Sequence, residues 1–285
     1  MGHGYSARAL AGLLRPQGWR FIATTRDAVR ADALRAEGVE AVVWPGTPLA
    51  PALARATHLL TSVAPDAGGD PVLRVEGEAI AAAGHLRWVG YLSTTGVYGD
   101  HGGGWVDEET PVAPTGSRGA ARVAAEDAWR DVCARAGVPL HIYRLAGIYG
   151  PGRGPFDRIR AGQAQRVIKP GQVFSRIHVD DIAAALAAGM DRPGRGVRVF
   201  NLCDDEPAPP QDVTAFASGL IGLPPPPEVD FATAPLSPMA REFYRDSKRV
   251  RNDRIKAELG LVLRHPDYRS GLRAVLAAET GASKG

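Results

Sequence analysis

The sequence predicts an α/β protein with a doubly wound parallel sheet and a small mixed lobe at its C-terminal end. Three observations indicate this. Strand and helix patterns alternate through the first 150 residues. A glycine turn, Gly2-x-Gly4-x-x-Ala7, opens the chain directly ahead of a helix. The alternation stops near residue 150, where irregular, proline-rich stretches begin.

Apolar spacing and end signals justify the elements in order. Leu10 and Leu14 fall on one face of a first helix that Gly18 ends, and Asp27 is a plausible N-cap of the second. The pattern predicts helix 6–17, strand 19–25, helix 27–38, strands 40–44 and 57–63, helix 72–83, strand 86–94, helix 119–137 and strand 140–150.

The second half has fewer regular elements. We expect a helix over 178–194, a strand over 197–205, and a final helix that starts near Ser247 or Arg249 and ends at Gly260. Residues 206–213 are irregular in pattern, and the prolines at 224–227 predict an extended connector.

Composition excludes several classes of protein. The 285 residues include 34 basic and 31 acidic ones, and this net charge of +3 is too balanced to indicate nucleic-acid binding. No apolar run approaches the ~20 residues of a membrane span. Cys133 and Cys203 form no metal-binding spacing, so we predict two reduced cysteines, a cytoplasmic location and no metal site.

The opening glycine turn predicts a dinucleotide site. The pyrophosphate would lie over Gly4 at the start of the helix, whose first turn is Tyr5, Ser6 and Ala7. Arg26 follows the next strand, where an arginine accommodates the 2′-phosphate of NADP and an acidic residue would select NAD. This favours NADP over NAD, although Arg26 could equally be a solvated loop charge.

The strand that should precede the glycine turn is absent from the sequence. We therefore expect the genomic reading frame to extend upstream of Met1 by a short apolar strand. Such a strand would occupy the centre of the sheet, and the protein that includes it should be more stable and should bind its cofactor better.

Three segments, YLSTTGVYGD, YRLAGIYGPGR and SRIHVDDIA, together resemble the extended short-chain dehydrogenase/reductases of the NAD(P)-dependent epimerase/dehydratase family. The resemblance implies a Rossmann-like domain over 1–150, to which 177–205 could return, and a substrate lobe over 151–285. It places a catalytic hydroxyl on Thr94. It also places Ser62, Val63, Ala64 and Tyr149 along the cofactor.

The chain departs from this family at the central Tyr-x-x-x-Lys pair. The matching helix register has Arg118 at the tyrosine position and Arg122 at the lysine position. Arginine cannot exchange a proton near neutral pH, because its pKa exceeds about 12. Tyr98, Tyr149 and His101 are the available replacements, and none of them is favoured by the sequence.

The resemblance and Arg26 together imply an NADP(H)-dependent oxidoreductase, or an epimerase or dehydratase, that acts on a small polar substrate, with an anionic substrate as an open alternative. Thr94 would hydrogen-bond the reacting oxygen, Arg122 would hold the ribose or a phosphate, and Arg118 would stabilise an anionic group. The alternative is a non-catalytic NADP(H)-binding protein that senses redox state. The sequence leaves a homodimer open.

Overall fold

The computed structural model describes residues 1–282, except the side chains at 239, 281 and 282. Its α-helices are α1 (Tyr5–Leu14), α2 (Ala28–Ala36), α3 (Ala50–Leu53), α4 (Pro71–Ala81), α5 (Ser117–Ala136), α6 (Phe156–Arg160), α7 (Val179–Asp191), α8 (Pro210–Leu220), α9 (Pro238–Phe243), α10 (Asp253–Leu259) and α11 (Tyr268–Ala282). Among the described residues, no helix combines the length and apolar character that a membrane span requires.

The strands form one larger sheet and several pairs. They are β1 (Ile22–Thr25), β2 (Glu40–Val43), β3 (His58–Thr61), β4 (Trp88–Thr94), β5 (Trp105–Val106), β6 (Leu140–Leu145), β7 (Gly147–Tyr149), β8 (Arg166–Ile168), β9 (Arg176–His178), β10 (Val197–Leu202), β11 (Glu228–Asp230) and β12 (Arg249–Val250). The larger sheet is parallel, in the order β10-β6-β4-β3.

Helices cover both faces of this sheet, which confirms the doubly wound α/β fold. On one face, Leu10 of α1 and Ile182 of α7 join a buried cluster with Phe200 of β10. On the other, Ile80 of α4 and Trp129 of α5 join a second cluster. The position of β10 beside β6 shows how the chain returns to the sheet after residue 150, while the domain boundary itself stays a prediction.

A cavity of about 940 Å³ separates the larger sheet from the β1-β2 pair. Residues of β1 and β3 line it, together with Leu10 of α1 and Trp88 of β4. Met1 spans one end of this cavity, because its carbonyl accepts from the Ser62 N–H at 3.0 Å. The cavity occupies the place where the sequence led us to expect a further strand.

Several C-terminal expectations are wrong. Residues 249–250 form β12 rather than the start of a helix, because their backbone pairs in parallel with Trp105 and Val106. The helix that follows, α10, covers only Asp253–Leu259, and a longer helix, α11, comes after it. The segment over 206–213 is not irregular throughout, since α8 begins at Pro210.

Candidate functional site

The glycine turn lies at the carboxyl ends of β1 and β3. The Gly2 N–H donates to the Thr24 hydroxyl at 2.7 Å, and a Cβ on Gly2 would meet the Ser62 hydroxyl at 2.9 Å. Gly2 has a φ of +74°, a conformation that favours glycine. The turn therefore needs glycine at this position both for its backbone angle and for the close approach of Ser62.

The N-terminus of α1 offers free backbone donors. Its first intrahelical bond runs from Arg8 N–H to the Gly4 carbonyl, which leaves the N–H groups of Tyr5, Ser6 and Ala7 without a helical acceptor. Gly4, at the N-cap position, provides no side-chain cap, and a Cβ there would meet open space. These donors and the helix dipole suit a phosphate group.

Arginines surround the end of β1. Arg26 is exposed, and Arg30 donates to the His3 carbonyl at 2.9 Å. Burial lowers the pKa of His3, and the nearby charges of Arg8 and Arg30 lower it further. Asp27 is the acidic residue nearest this end, and its carboxylate accepts the Arg30 N–H at 3.0 Å as the cap of α2. Arg8 and Arg30 were not identified from the sequence, because their proximity depends on how α1 packs beside α2.

The loop after β3 touches the glycine turn. The Ser62 N–H and hydroxyl both approach the Met1 carbonyl, at 3.0 and 3.4 Å. Val63 is half-buried, and Ala64 is exposed. The structure therefore brings Ser62 and Gly2 together, whereas contacts of this loop with a cofactor stay a prediction.

Thr94 ends β4, and its hydroxyl accepts the Gly96 N–H at 3.1 Å. The first turn of α5 packs against this same turn, since a Cβ on Gly119 would meet the Gly96 carbonyl at 2.9 Å. Arg122 donates to the Leu92 carbonyl at 2.6 Å, two residues before Thr94. The structure thus places Thr94 and Arg122 at one strand end.

Arg122 and Arg118 differ in their surroundings. Arg122 is half-buried and also donates to the Tyr91 hydroxyl at 3.2 Å. Arg118 lies one helical turn earlier, is exposed, and has no hydrogen bond or ion pair with any residue that the structure describes. The α5 dyad, as we call Arg118 and Arg122, therefore consists of one anchored and one free guanidinium.

A buried network of hydrogen-bonded polar side chains contacts the end of β4. The Glu126 carboxylate accepts the Ser93 hydroxyl at 2.6 Å and pairs with Arg144 at 2.8 Å. Arg144 also donates to the Tyr98 hydroxyl at 3.0 Å, and that hydroxyl donates to Asn201 at 2.7 Å. These contacts connect β4, α5, β6 and β10, so they hold the residues around Thr94 in place.

The tyrosines near the site do not replace the missing proton donor. Burial raises the pKa of Tyr98 to about 12, so its hydroxyl keeps its proton near neutral pH. Burial also raises the pKa of Tyr149, whose hydroxyl points to the Asp267 carbonyl at 3.4 Å. Tyr5 donates to the Pro151 carbonyl at 2.9 Å, which joins the first turn of α1 to the segment after Tyr149.

The C-terminal lobe contributes a lysine that the sequence did not reveal. Lys248 donates to the Gly99 carbonyl at 2.6 Å and lies 3.4 Å from the Asp246 carboxylate. Burial lowers its pKa, an effect that the charges of Asp246 and Asp100 oppose. His101 lies in the same loop as Gly99 and Asp100, and its ring contacts the Tyr98 carbonyl at 3.1 Å. These contacts join the segment around Lys248 to the loop that follows Thr94.

A family model for the NAD dependent epimerase/dehydratase family matches residues 77–203, which include Thr94, the α5 dyad and the buried network. The match covers a little less than half of the chain, and over that segment the sequence is similar to this family. The chain is 32% identical over 148 residues to Protein YeeZ of Escherichia coli strain K12. That match covers 51% of the chain, and the chain spans about half the length of such curated relatives.

Several solved structures share the fold along nearly the whole chain. A functionally unknown conserved protein from Silicibacter pomeroyi DSS is 60% identical, with a TM-score of 0.92 and coverage of 97% of this chain and 96% of that one. MoeE5 in complex with UDP-glucuronic acid and NAD is 20% identical, with a TM-score of 0.78 and coverage of 98% and 97%. The human epimerase family protein SDR39U1 with NADPH is 16% identical, with a TM-score of 0.74 and coverage of 97% of each chain.

Proposed function

We propose that the protein is an NADP(H)-dependent oxidoreductase, or an epimerase or dehydratase, that acts on a small polar substrate carrying negative charge. One observation carries this proposal. The uncapped N-terminus of α1, the arginines after β1 and the Thr94 turn all lie at carboxyl ends of parallel strands. Ligands of open α/β sheets bind at that edge.

The residues at this edge fit a nicotinamide dinucleotide. Free N–H groups of Tyr5, Ser6 and Ala7 would bind the pyrophosphate, because no acidic side chain lies in this first turn. Arg26 would bind the 2′-phosphate of NADP, with Arg8 and Arg30 adding positive charge nearby. The NADPH bound to human SDR39U1 supports this choice, while MoeE5 holds NAD in the same fold.

The substrate would react next to Thr94. The bound nicotinamide supplies or accepts a hydride at the reacting carbon. The Thr94 hydroxyl already accepts from Gly96, so its hydrogen is free to bond the substrate oxygen. The guanidinium of Arg118 would stabilise negative charge on that oxygen or on a neighbouring substituent. Because neither arginine of the α5 dyad can lose a proton, the proton comes from solvent or from the substrate itself.

The α5 dyad supports an anionic substrate. Like charges one helical turn apart destabilise a helix by a few tenths of a kcal/mol, and an anion between them removes that cost. Arg118 has its donors free, and arginine binds carboxylate and phosphate with two parallel hydrogen bonds. The UDP-glucuronic acid bound to MoeE5 carries both kinds of group, which supports this substrate class.

A turnover assay tests the proposal. NADPH oxidation and NADP reduction are followed with a panel of nucleotide-linked uronic acids, keto acids and neutral sugars of matched size. We expect turnover with acidic members only, and loss of that turnover in Thr94→Val with cofactor binding retained. Cofactor binding without turnover for any member would instead support the alternative, a redox-sensing protein in the cytoplasm.

A further inference from the structure

A compact group of metal-ligating side chains lies apart from Thr94 and the α5 dyad. The Asp180 carboxylate is 3.6 Å from the Nδ1 atom of His178 and 3.6 Å from the Nε2 atom of His265. The two imidazole rings are tilted by 53° to each other, with centroids 4.0 Å apart. One donor atom from each residue lies within 4.8 Å of the others. We call these three residues the His-Asp-His cluster.

The fold positions this cluster firmly. His178 and Asp180 begin α7, whereas His265 lies in the loop between α10 and α11. The carboxylate of Asp181, which is fully buried, accepts the N–H groups of Arg264 and His265 at 2.7 and 3.1 Å. This contact fixes the backbone of the loop against α7, so His265 is held beside His178 without a ligand. A site whose donors are already in place loses little entropy on binding.

The donors are chemically suited to a divalent transition metal. Two imidazoles and one carboxylate match the ligand types of zinc sites that keep an open position for water. His178 is 1% exposed, and its Nδ1 atom faces the Asp180 carboxylate. The Asp180 side chain is 46% exposed and leaves a path from solvent.

We propose that the His-Asp-His cluster binds one divalent transition-metal ion of the zinc class, with water as the remaining ligand. In a tetrahedral zinc site with ligand distances of about 2.0–2.2 Å, neighbouring donors lie roughly 3.4 Å apart. The two separations from the Asp180 carboxylate are 3.6 Å, and all three donor atoms lie within 4.8 Å of one another, so binding requires the two imidazoles to move inward. The ion would replace one long contact, from the Asp180 N–H to His178 Nδ1 at 3.2 Å.

The bound ion would join distant parts of the chain. It would connect the start of α7 to the loop before α11. The start of α7 also lies close to the first turn of α1, since a Cβ on Gly150 would meet both the Tyr5 hydroxyl and the Val179 side chain. Metal occupancy should therefore stabilise the C-terminal helices against the main sheet. This role is independent of the proposed catalytic chemistry.

Metal titration of the full chain tests this inference. The protein is treated with a chelator, dialysed, and titrated with Co²⁺, whose visible absorption bands report tetrahedral coordination, and then with Zn²⁺ as a competitor. We expect one Co²⁺ per chain, displacement by Zn²⁺, and a higher Tm with either ion. His265→Gln and Asp180→Asn should weaken binding at least 100-fold, whereas His85→Gln, on an exposed histidine, should bind as the parent does.

Two outcomes would overturn the inference. One is the absence of a stoichiometric Co²⁺ complex, and the other is unchanged binding in both cluster variants. X-ray absorption of the wild-type zinc complex provides a test that needs no variant. It should show two imidazoles in the coordination shell, and a shell of oxygen ligands alone would contradict the proposed site.

Discussion

Arg144 and Glu126 form a two-point ion pair inside the protein, with Nε–Oε1 and Nη2–Oε2 distances of 3.2 and 2.8 Å. Their side chains are 5% and 1% exposed. The same carboxylate accepts the Ser93 hydroxyl, one residue before Thr94. The pair therefore links the interior of the sheet to the strand end at which we place the reaction.

Removing one partner of this pair should be costly. We expect Arg144→Met to lower the free energy of unfolding by about 3–5 kcal/mol, because Glu126 then remains buried without its main cation. Urea denaturation measures this loss. Arg74→Met is the matched control, since Arg74 makes a similar two-point pair with Asp66 on the surface and should cost less than about 1 kcal/mol. Equal losses in the two variants would contradict this account.

A strand added ahead of Met1 should fill the cavity between β1 and β3. We predict that an engineered apolar extension of about six residues raises Tm by several degrees. The added strand would bury apolar surface and would form hydrogen bonds with the edges of β1 and β3. It also removes the buried Met1 ammonium, whose pKa burial lowers to about 5. Scanning calorimetry compares it with a Gly/Ser extension of equal length, and equal Tm values would show that the cavity does not accept a strand.

Acid should destabilise the protein partly through His141. Burial lowers the pKa of this histidine to about 4, and its ring contacts the Tyr143 hydroxyl and the Pro193 carbonyl. Between pH ~6.5 and ~4 the unfolded chain binds a proton that the folded chain does not, so stability falls as pH falls, by up to about 1.4 kcal/mol per pH unit.

Urea titrations at several pH values in this window measure that slope. His141→Gln should reduce the slope of the unfolding free energy against pH by the equivalent of nearly one bound proton. His85→Gln, on an exposed histidine, should leave that slope unchanged. An unaltered slope in His141→Gln would show that this imidazole does not carry the effect.

Arg118 should bind the charged part of the substrate. Replacing it with alanine is expected to weaken binding of acidic ligands about 10- to 100-fold, the range for loss of a charged hydrogen bond. Isothermal titration with nucleotide-linked uronic acids measures the change, and Arg195→Ala, on an exposed loop, is the control. If every acidic ligand binds Arg118→Ala unchanged, the substrate anion lies elsewhere.

Restoring the tyrosine and lysine of the family's Tyr-x-x-x-Lys pair at positions 118 and 122 also tests the role of α5. The double variant Arg118→Tyr/Arg122→Lys supplies a phenol and an ammonium one turn apart. If the native protein turns over by its own route, this variant should lose acidic-substrate turnover. If activity instead appears only in the double variant, the native protein is better described as a cofactor-binding protein than as an enzyme.

The central sheet could be predicted because its information is local. Apolar periodicity and end signals such as Gly18 and Asp27 lie within single elements, and they placed β1–β4, β6, α2, α4 and α5, although not the short helix α3. The C-terminal elements depend on distant pairing. The two residues of β12 are a strand only because Trp105 and Val106 lie alongside, so their own sequence could not distinguish them from a helix start.

The residues of the candidate site likewise fall into two groups, those that sequence motifs predict and those that only the fold brings together. Gly2, Ser62 and Thr94 belong to motifs that can be read along the chain. The contact of Glu126 with Arg144 needs the register of α5 against β6, and the approach of His265 to His178 crosses 87 positions in the sequence. Such contacts have no spacing signature, so only the folded structure reveals them.

Cofactor preference is the most direct test of the central claim, that this edge of the sheet binds NADP(H). Equilibrium titration of the native protein with NADPH and NADH, followed by nicotinamide fluorescence, should give a Kd at least tenfold lower for NADPH. In Arg26→Ala this preference should shrink by about one to two orders of magnitude, with Arg195→Ala unchanged. Equal affinity of the native protein for both cofactors, or no binding of either, would contradict the account.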